Sequence, residues 1–175
     1  MSVNKDLIKA FLFAAIKDHG KARRMLKKYP QLRECEIGVG ESPLCYLAIE
    51  SYAEAVEFLA GEGFAFDDAD EFGNTPLMQA AVVGSDEVAE VLLRLGANPN
   101  AGPETSDCAL ISAVSSANPR LVRLLLDHGA RTDCVDYLDR SVMEVVQEIT
   151  AKAKQQARVE IERMLKEAIA QQSGD

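Results

Sequence analysis

Apolar residues recur along this chain in paired short runs, and the pairs keep a fixed interval. Leu44, Leu77, Leu110 and Met143 stand 33 residues apart, and Gly63, Gly96 and Gly129 fall on the same interval. Within one interval, Leu77, Ala80 and Ala81 form a first run, and Val88, Val91, Leu92 and Leu95 form a second at helical spacing. Three- and four-residue spacing predicts two short helices per unit, each with one apolar face. Thr75 supplies a hydroxyl to cap the first helix, and Pro76 fits its first turn, where a missing amide donor costs nothing. Gly96 is placed to end the second helix in the left-handed conformation. A two-helix unit of this size cannot bury its apolar face alone, so neighbours must stack into a continuous core. Function is then expected on a surface rather than in a cleft.

The best unit reads Gly73-Asn74-Thr75-Pro76-Leu77, then Ala80-Ala81, Gly84, Leu92-Leu93, Gly96-Ala97 and Asn100. This resembles the ankyrin repeat. The likeness runs back through Ser42-Pro43-Leu44, Ala48, Phe58-Leu59 and Gly63, and forward through Leu110, Ala113, Leu121 to Leu126, Gly129 and Ala130. It implies an all-α solenoid of stacked helix-turn-helix units with projecting loops, about five units including both caps. A single domain over residues 1–175 is expected, with units at 4–36, 37–69, 70–102, 103–135 and 136–170 and a frayed tail at 171–175. Phe11, Ala14, Ala15 and Leu26 keep phase in the first, capping unit. Ser141-Val142-Met143 keeps the interval at the other end, but Ile161, Met164 and Leu165 arrive about seven residues late, which predicts two longer helices closing the stack. The family's His after Leu is replaced by Cys45, Met78, Ile111 and Glu144.

Aromatic residues make up 6% of the chain and Trp is absent, so the core must come from aliphatic and alanine side chains at close helix contacts. No apolar run approaches the about 20 residues of a membrane span. The stretch Ala10 to Ile16 follows Lys9 and lacks the cleavage site of a leader. A cytoplasmic protein without membrane contact is expected. Cys35, Cys45, Cys108 and Cys134 show no Cys-x-x-Cys pairing. Stacked units are spaced by roughly 8–10 Å, beyond the about 7 Å Cα limit of a disulfide, so four reduced thiols are expected.

Candidate chemistry is sparse. His19 and His128 each precede a glycine where polar turn residues belong. Asp68-Ala69-Asp70-Glu71-Phe72-Gly73 imitates the start of a calcium loop, but Phe72 occupies a ligand position and Gln79 stands where the bidentate Glu is required. Gly38-Val39-Gly40 has no following Lys and no preceding strand, which excludes a phosphate cradle. A nucleophilic Cys45 or Cys108 would lack a neighbouring base. The sequence therefore predicts a non-enzymatic protein with no cofactor and no metal.

Charge gives that surface a sign. Residues 1–33 carry a net +7 and residues 34–175 a net −16, which together make the −9 of the chain. The resemblance implies that loops at 34–41, 67–73, 100–107 and 133–140 project as fingers. They hold twelve acids against one base, Arg140. Mapping the family's contact positions onto this chain nominates Val39, Glu41, Ile49, Asp70, Glu71, Phe72, Asn74, Val82, Val83, Glu104, Asp107, Asp136, Tyr137 and Leu138 as partner-binding residues. An apolar centre inside a charged rim is how protein interfaces are built. The expected partner is another protein with a basic patch, held by a monomer, while nucleic acid is repelled. An inhibitor, immunity-type or adaptor role follows from that surface. The alternative is a self-assembling scaffold, in which the basic first unit, with Lys21, Arg23, Arg24, Lys27 and Lys28, meets the acidic remainder of another copy.

Overall fold

The computed structural model describes residues 4–37, 40–102, 108–149 and 154–174. These form α1 (Lys5–Lys17), α2 (His19–Lys28), α3 (Pro43–Ile49), α4 (Ala53–Gly61), α5 (Pro76–Val83), α6 (Asp86–Arg94), α7 (Ala109–Ser115), α8 (Pro119–Asp127), α9 (Val142–Gln147) and α10 (Gln155–Ser173). A short 3-10 turn, Pro30–Glu34, follows α2. The expected all-α solenoid is present, and the extended pairing found among the described residues is one antiparallel bridge, Val135 with Ser141.

Each inner helix begins the same way because the same chemistry returns at the same interval. Ser42, Thr75, Cys108 and Ser141 each accept a hydrogen bond from the amide three residues on. Pro43 and Pro76 then open their helices without wasting a donor, and Glu144 returns a bond to the Ser141 amide to complete a capping box. One such cap is worth about 1 kcal/mol. Burial weighs more. Leu44, Leu47, Leu77, Leu92, Leu121 and Leu125 are wholly enclosed, and each contributes roughly 1.5–3 kcal/mol.

The helices stand in two rows. α3, α5, α7 and α9 lie side by side as the inner row, and α4, α6, α8 and α10 back them as the outer row. Ala48, Ala80, Ala81 and Ala113 are fully buried and let these short helices approach closely. The first unit docks differently, with α1 packed against α4. Phe11 stacks on Phe64 with centroids 5.9 Å apart, His19 stacks on Phe58 at 4.1 Å, and Arg23 lies over the same Phe58 ring, 5.4 Å from its centroid, while pairing with Glu62 at 2.6 Å. His19 therefore begins α2 as a packing residue rather than sitting in a free turn. Further along, polar side chains bridge unit to unit: Asp67 accepts the Asn98 amide at 3.1 Å, and Asn100 accepts the Arg131 amide at 2.8 Å.

Two expectations for the C-terminal end need correction. α9 is a six-residue helix, not a longer one, and the delay falls between Gln147 and Gln155, so that α10 alone extends, to 19 residues. α9 keeps the length of its inner-row neighbours, whereas α10 spans both α8 and α9. Residues 171–173 are helix rather than tail, because Gln172 accepts the Thr132 amide at 3.0 Å and hydroxyl at 2.8 Å and donates to the Ala130 carbonyl.

The expectation of four reduced thiols is also overturned. Cys35 and Cys45 are free and buried, but Cys108 and Cys134 are joined in a disulfide, with Cα atoms 6.6 Å apart. Helix-axis spacing was the wrong measure. Cys134 lies at the base of the finger that leads α9, beside Cys108 at the cap of α7.

Candidate functional site

Three fingers share one turn. The amides of Ile37, Asp70 and Asp136 each donate to the carbonyl four residues on, those of Glu41, Asn74 and Arg140. Gly40, Gly73 and Asp139 take the left-handed conformation at the equivalent position of each turn. In the second finger the Asp70 carboxylate accepts from the Phe72 and Asn74 amides, both at 2.9 Å, and from the Gln79 side chain at 3.2 Å. In the last described finger Asp136 does the same for Leu138 and Arg140, again at 2.9 Å.

Asp136 is therefore no contact carboxylate. It is buried, 2% exposed, and the guanidinium of Arg140 beside it holds its carboxyl below the usual range. Arg140 also pairs with Glu148, the residue that caps the C-terminus of inner helix α9. Asp70, half-buried, spends its oxygens on its own turn in the same manner, with Asn74 as partner. What the two aspartates do is aim the residues between them and the helix: Phe72 is 72% exposed, Tyr137 73% and Leu138 55%.

The Asp70–Gln79 bond ties the second finger to the solvent face of α5. Val82 and Val83 follow Gln79 by three and four residues, which places them on that face, and they are 62% and 44% exposed. Ile49 holds the position of Val82 one unit earlier and is half-buried. Glu50 follows Ile49 and Glu71 precedes Phe72 in sequence, and Glu41 lies within electrostatic reach of Glu50 and Asp70. Loss of water on partial burial pushes the Glu41 carboxyl up, and Asp70 and Glu50 add to the shift by repulsion. Acids have thus been gathered at some electrostatic cost. The strip changes character towards the C-terminal end, where Ser115 and Ser116 stand in the places of Val82 and Val83, and Ser112 in that of Gln79.

Val39, Glu104 and Asp107, nominated from the sequence, lie outside the described residues, as does Gly38 of the suspected glycine cradle. Tyr46, Glu50 and Phe13 were not nominated and belong in the same register. Phe13 is 63% exposed, and the 33-residue interval counted back from Tyr46 would have found it.

Catalytic candidates are engaged elsewhere. Cys45 is fully buried, its thiol pushed up by desolvation, and its sulfur faces the Asp68 and Asn74 carbonyls at 3.9 and 3.8 Å. It stands in weakly for the hydrogen-bonding His that the family places there. His128 Nδ1 lies 2.9 Å from the Leu124 carbonyl. Among the described residues no helix is long and apolar enough to cross a membrane.

Stacked helix pairs, each led by a projecting turn, define a helical repeat protein that offers fingers and an inner helical row to its surroundings. The chain belongs to the ankyrin-repeat family: residues 11–103 match the family model for ankyrin repeats in three copies. A putative ankyrin repeat-containing protein of Treponema pallidum is 36% identical over 102 residues, covering 57% of this chain and 34% of that protein. Inversin of Gallus gallus is 35% identical over 88 residues, 46% of this chain and 8% of its own length. Ankyrin repeat and KH domain-containing protein 1 of Homo sapiens is 36% identical over 92 residues, 51% of this chain and 4% of its own. The chain thus matches 34% or less of the length of each of these relatives. Ankyrin repeats are protein–protein interaction modules, and the family typically works without catalysis.

Proposed function

We propose that this chain grips a partner protein with a basic patch through its concave face, using an apolar centre of Phe72, Val82, Val83 and Ile49 rimmed by Glu41, Glu50 and Glu71. Tyr137 and Leu138 extend the contact at the last finger. The observation that carries this reading is the exposure of Phe72 and Val82 on one unit whose finger and inner helix are tied by Asp70 and Gln79. Large apolar residues left in solvent beside mutually repelling carboxylates stabilise nothing in the free molecule. A cationic, partly apolar surface relieves both penalties at once. Rigid complementarity of this kind suits an inhibitor, an immunity-type protein or an adaptor, in a monomer working in the cytoplasm.

The test is capture from native lysate by the wild-type chain and by a variant carrying Phe72→Ala, Val82→Ser and Glu71→Lys. The proposal expects a basic prey protein retained by the first and lost by the second, with retention falling as salt rises. Equal retention by both removes this surface from consideration.

A second reading is favoured by one observation: Lys21, Arg24, Lys27 and Lys28 are exposed on α2, at the end opposite the last finger. Self-assembly of that pole against an acidic face would make a scaffold. Light scattering across a salt titration separates the two, since the scaffold reading requires a low-salt oligomer that dissociates on screening.

A further inference from the structure

Cys108 and Cys134 are 26 residues apart in sequence, and their bond joins the cap of α7 to the base of the finger that leads α9. That separation is one repeat less seven. The same offset relates Ser42 to Asp68, which line one cavity of about 290 Å³ between the first two fingers, so the juxtaposition is a property of the repeat. Thr75 and Ala101 hold the corresponding places in the next unit, and Cys108 with Cys134 is the pair that puts sulfur at both. Both residues are half-buried, which leaves them within reach of a small thiol reagent. Cys35 and Cys45 are enclosed, and burial pushes their thiols above the usual range, so they react slowly.

We propose that Cys108 and Cys134 form a reversible dithiol–disulfide site whose oxidation state sets the mobility of the finger carrying Tyr137 and Leu138. The co-reactant is a small-molecule disulfide of the glutathione type. One cysteine thiolate attacks a sulfur of that disulfide, forming a mixed disulfide and expelling one thiolate. The second cysteine thiolate then attacks the protein sulfur of the mixed disulfide and expels the other. The protein loses two electrons and two protons; the small disulfide gains both and leaves as two thiols. Reduction runs the same steps backwards.

The consequence follows from where the bond sits. In the disulfide form the finger is fixed at its base by Cys134, and its neck is closed by the Val135–Ser141 bridge and the Asp136–Arg140 pair. In the dithiol form the covalent tie to Cys108 is gone, while the Val135–Ser141 bridge and the pairs of Arg140 with Asp136 and Glu148 persist. That this mobility regulates partner contact rests on the function proposed above; the site itself does not.

The full chain is equilibrated in glutathione buffers of graded composition, quenched with acid, alkylated and read as peptides by mass spectrometry. Cys108 and Cys134 are expected to convert together in one two-electron transition to a linked peptide, with Cys35 and Cys45 alkylated after denaturation. Amide exchange across residues 134–140 is expected to be about tenfold faster in the dithiol form, as for a segment released to open locally. Cys108→Ser keeps the hydroxyl cap found at Ser42 and Ser141 while removing the bond, and is expected to match the dithiol form. Separate glutathione adducts on the two cysteines, or identical exchange in the two forms, would overturn the proposal. Neither readout involves the partner, so a failure of the partner reading leaves a distinct result.

Discussion

Glu71 lies against Gly40 of the preceding finger so closely that a Cβ on Gly40 would stand 3.1 Å from the Glu71 Cβ and 3.2 Å from its amide nitrogen. Gly40 also holds φ +66°, a conformation that side chains strain to reach. Neighbouring fingers are thus in direct backbone contact, and the acids at their tips are held as a set. Gly40→Ala is expected to cost about 2 kcal/mol, from a left-handed alanine together with displacement of the second finger. Gly63 also has positive φ but opens onto free space. Its alanine variant isolates the conformational part, about 1 kcal/mol. Urea unfolding of both variants should rank Gly40→Ala as the worse; equal losses would mean that the fingers do not press on one another.

Asp136 should make the last finger sensitive to acid. Arg140 beside it holds its carboxyl below the ordinary range, so the folded chain binds that proton less readily than the unfolded chain does. The stability it contributes is complete above the unfolded value of about 3.9 and is lost as pH falls through the lower folded value. Amide exchange at residues 136–140 should therefore loosen below about pH 4, while the amides of α5 and α6 stay protected. Asp136→Asn keeps an oxygen for the Leu138 and Arg140 amides but removes the charge, so the acid step should disappear. Protection that stays flat from about pH 6 to about pH 3 in the wild-type chain would contradict this account.

The helices were legible because burial enforces their spacing: Leu44, Leu77 and Leu110 can be enclosed in a stack only at one interval, and any shift would expose a whole face. The fingers were legible in place but not in role. Asp70 and Asp136 are acids in loops, and nothing in a linear sequence separates an aspartate that closes a turn from one that meets a partner. Their shared distance of two repeats, with a left-handed residue three places on in both, was the available signal. Cys108 and Cys134 were missed because helix spacing was applied to a loop base. Phe13 was hidden because the repeat's signature residues fade in the capping unit, where α1 packs on α4 and sits differently from its successors.

Ser85 offers a stabilising substitution. Its hydroxyl oxygen is buried without a hydrogen-bond partner among the described residues, and although it begins α6 it makes no side-chain cap bond. A buried hydroxyl left unsatisfied costs about 1–3 kcal/mol, while the capping loss on its removal is small because no bond is made. Ser85→Ala is expected to raise the unfolding free energy by about 1 kcal/mol, read from urea midpoints at constant slope. A loss of similar size would show that the hydroxyl caps α6 in solution.

Glu41 separates a structural acid from one kept for contact. Partial burial raises its carboxyl and the facing Asp70 and Glu50 raise it further, so ionising it is harder in the folded chain than in the unfolded one. A raised acid contributes stability below its folded value and loses it as pH rises through that value. At neutral pH Glu41 is therefore a net cost to the free molecule, one that water screens to less than about 1 kcal/mol. Glu41→Gln should increase stability at pH 7, and the gain should shrink as added salt shortens the reach of the repulsion. If the acidic rim serves a cationic partner, the same substitution should slow association and weaken its salt dependence. The two effects have opposite signs, which no purely structural carboxylate would give. A Glu41→Gln chain that is less stable than the wild type, or whose gain ignores salt, would show that repulsion is not what Glu41 contributes.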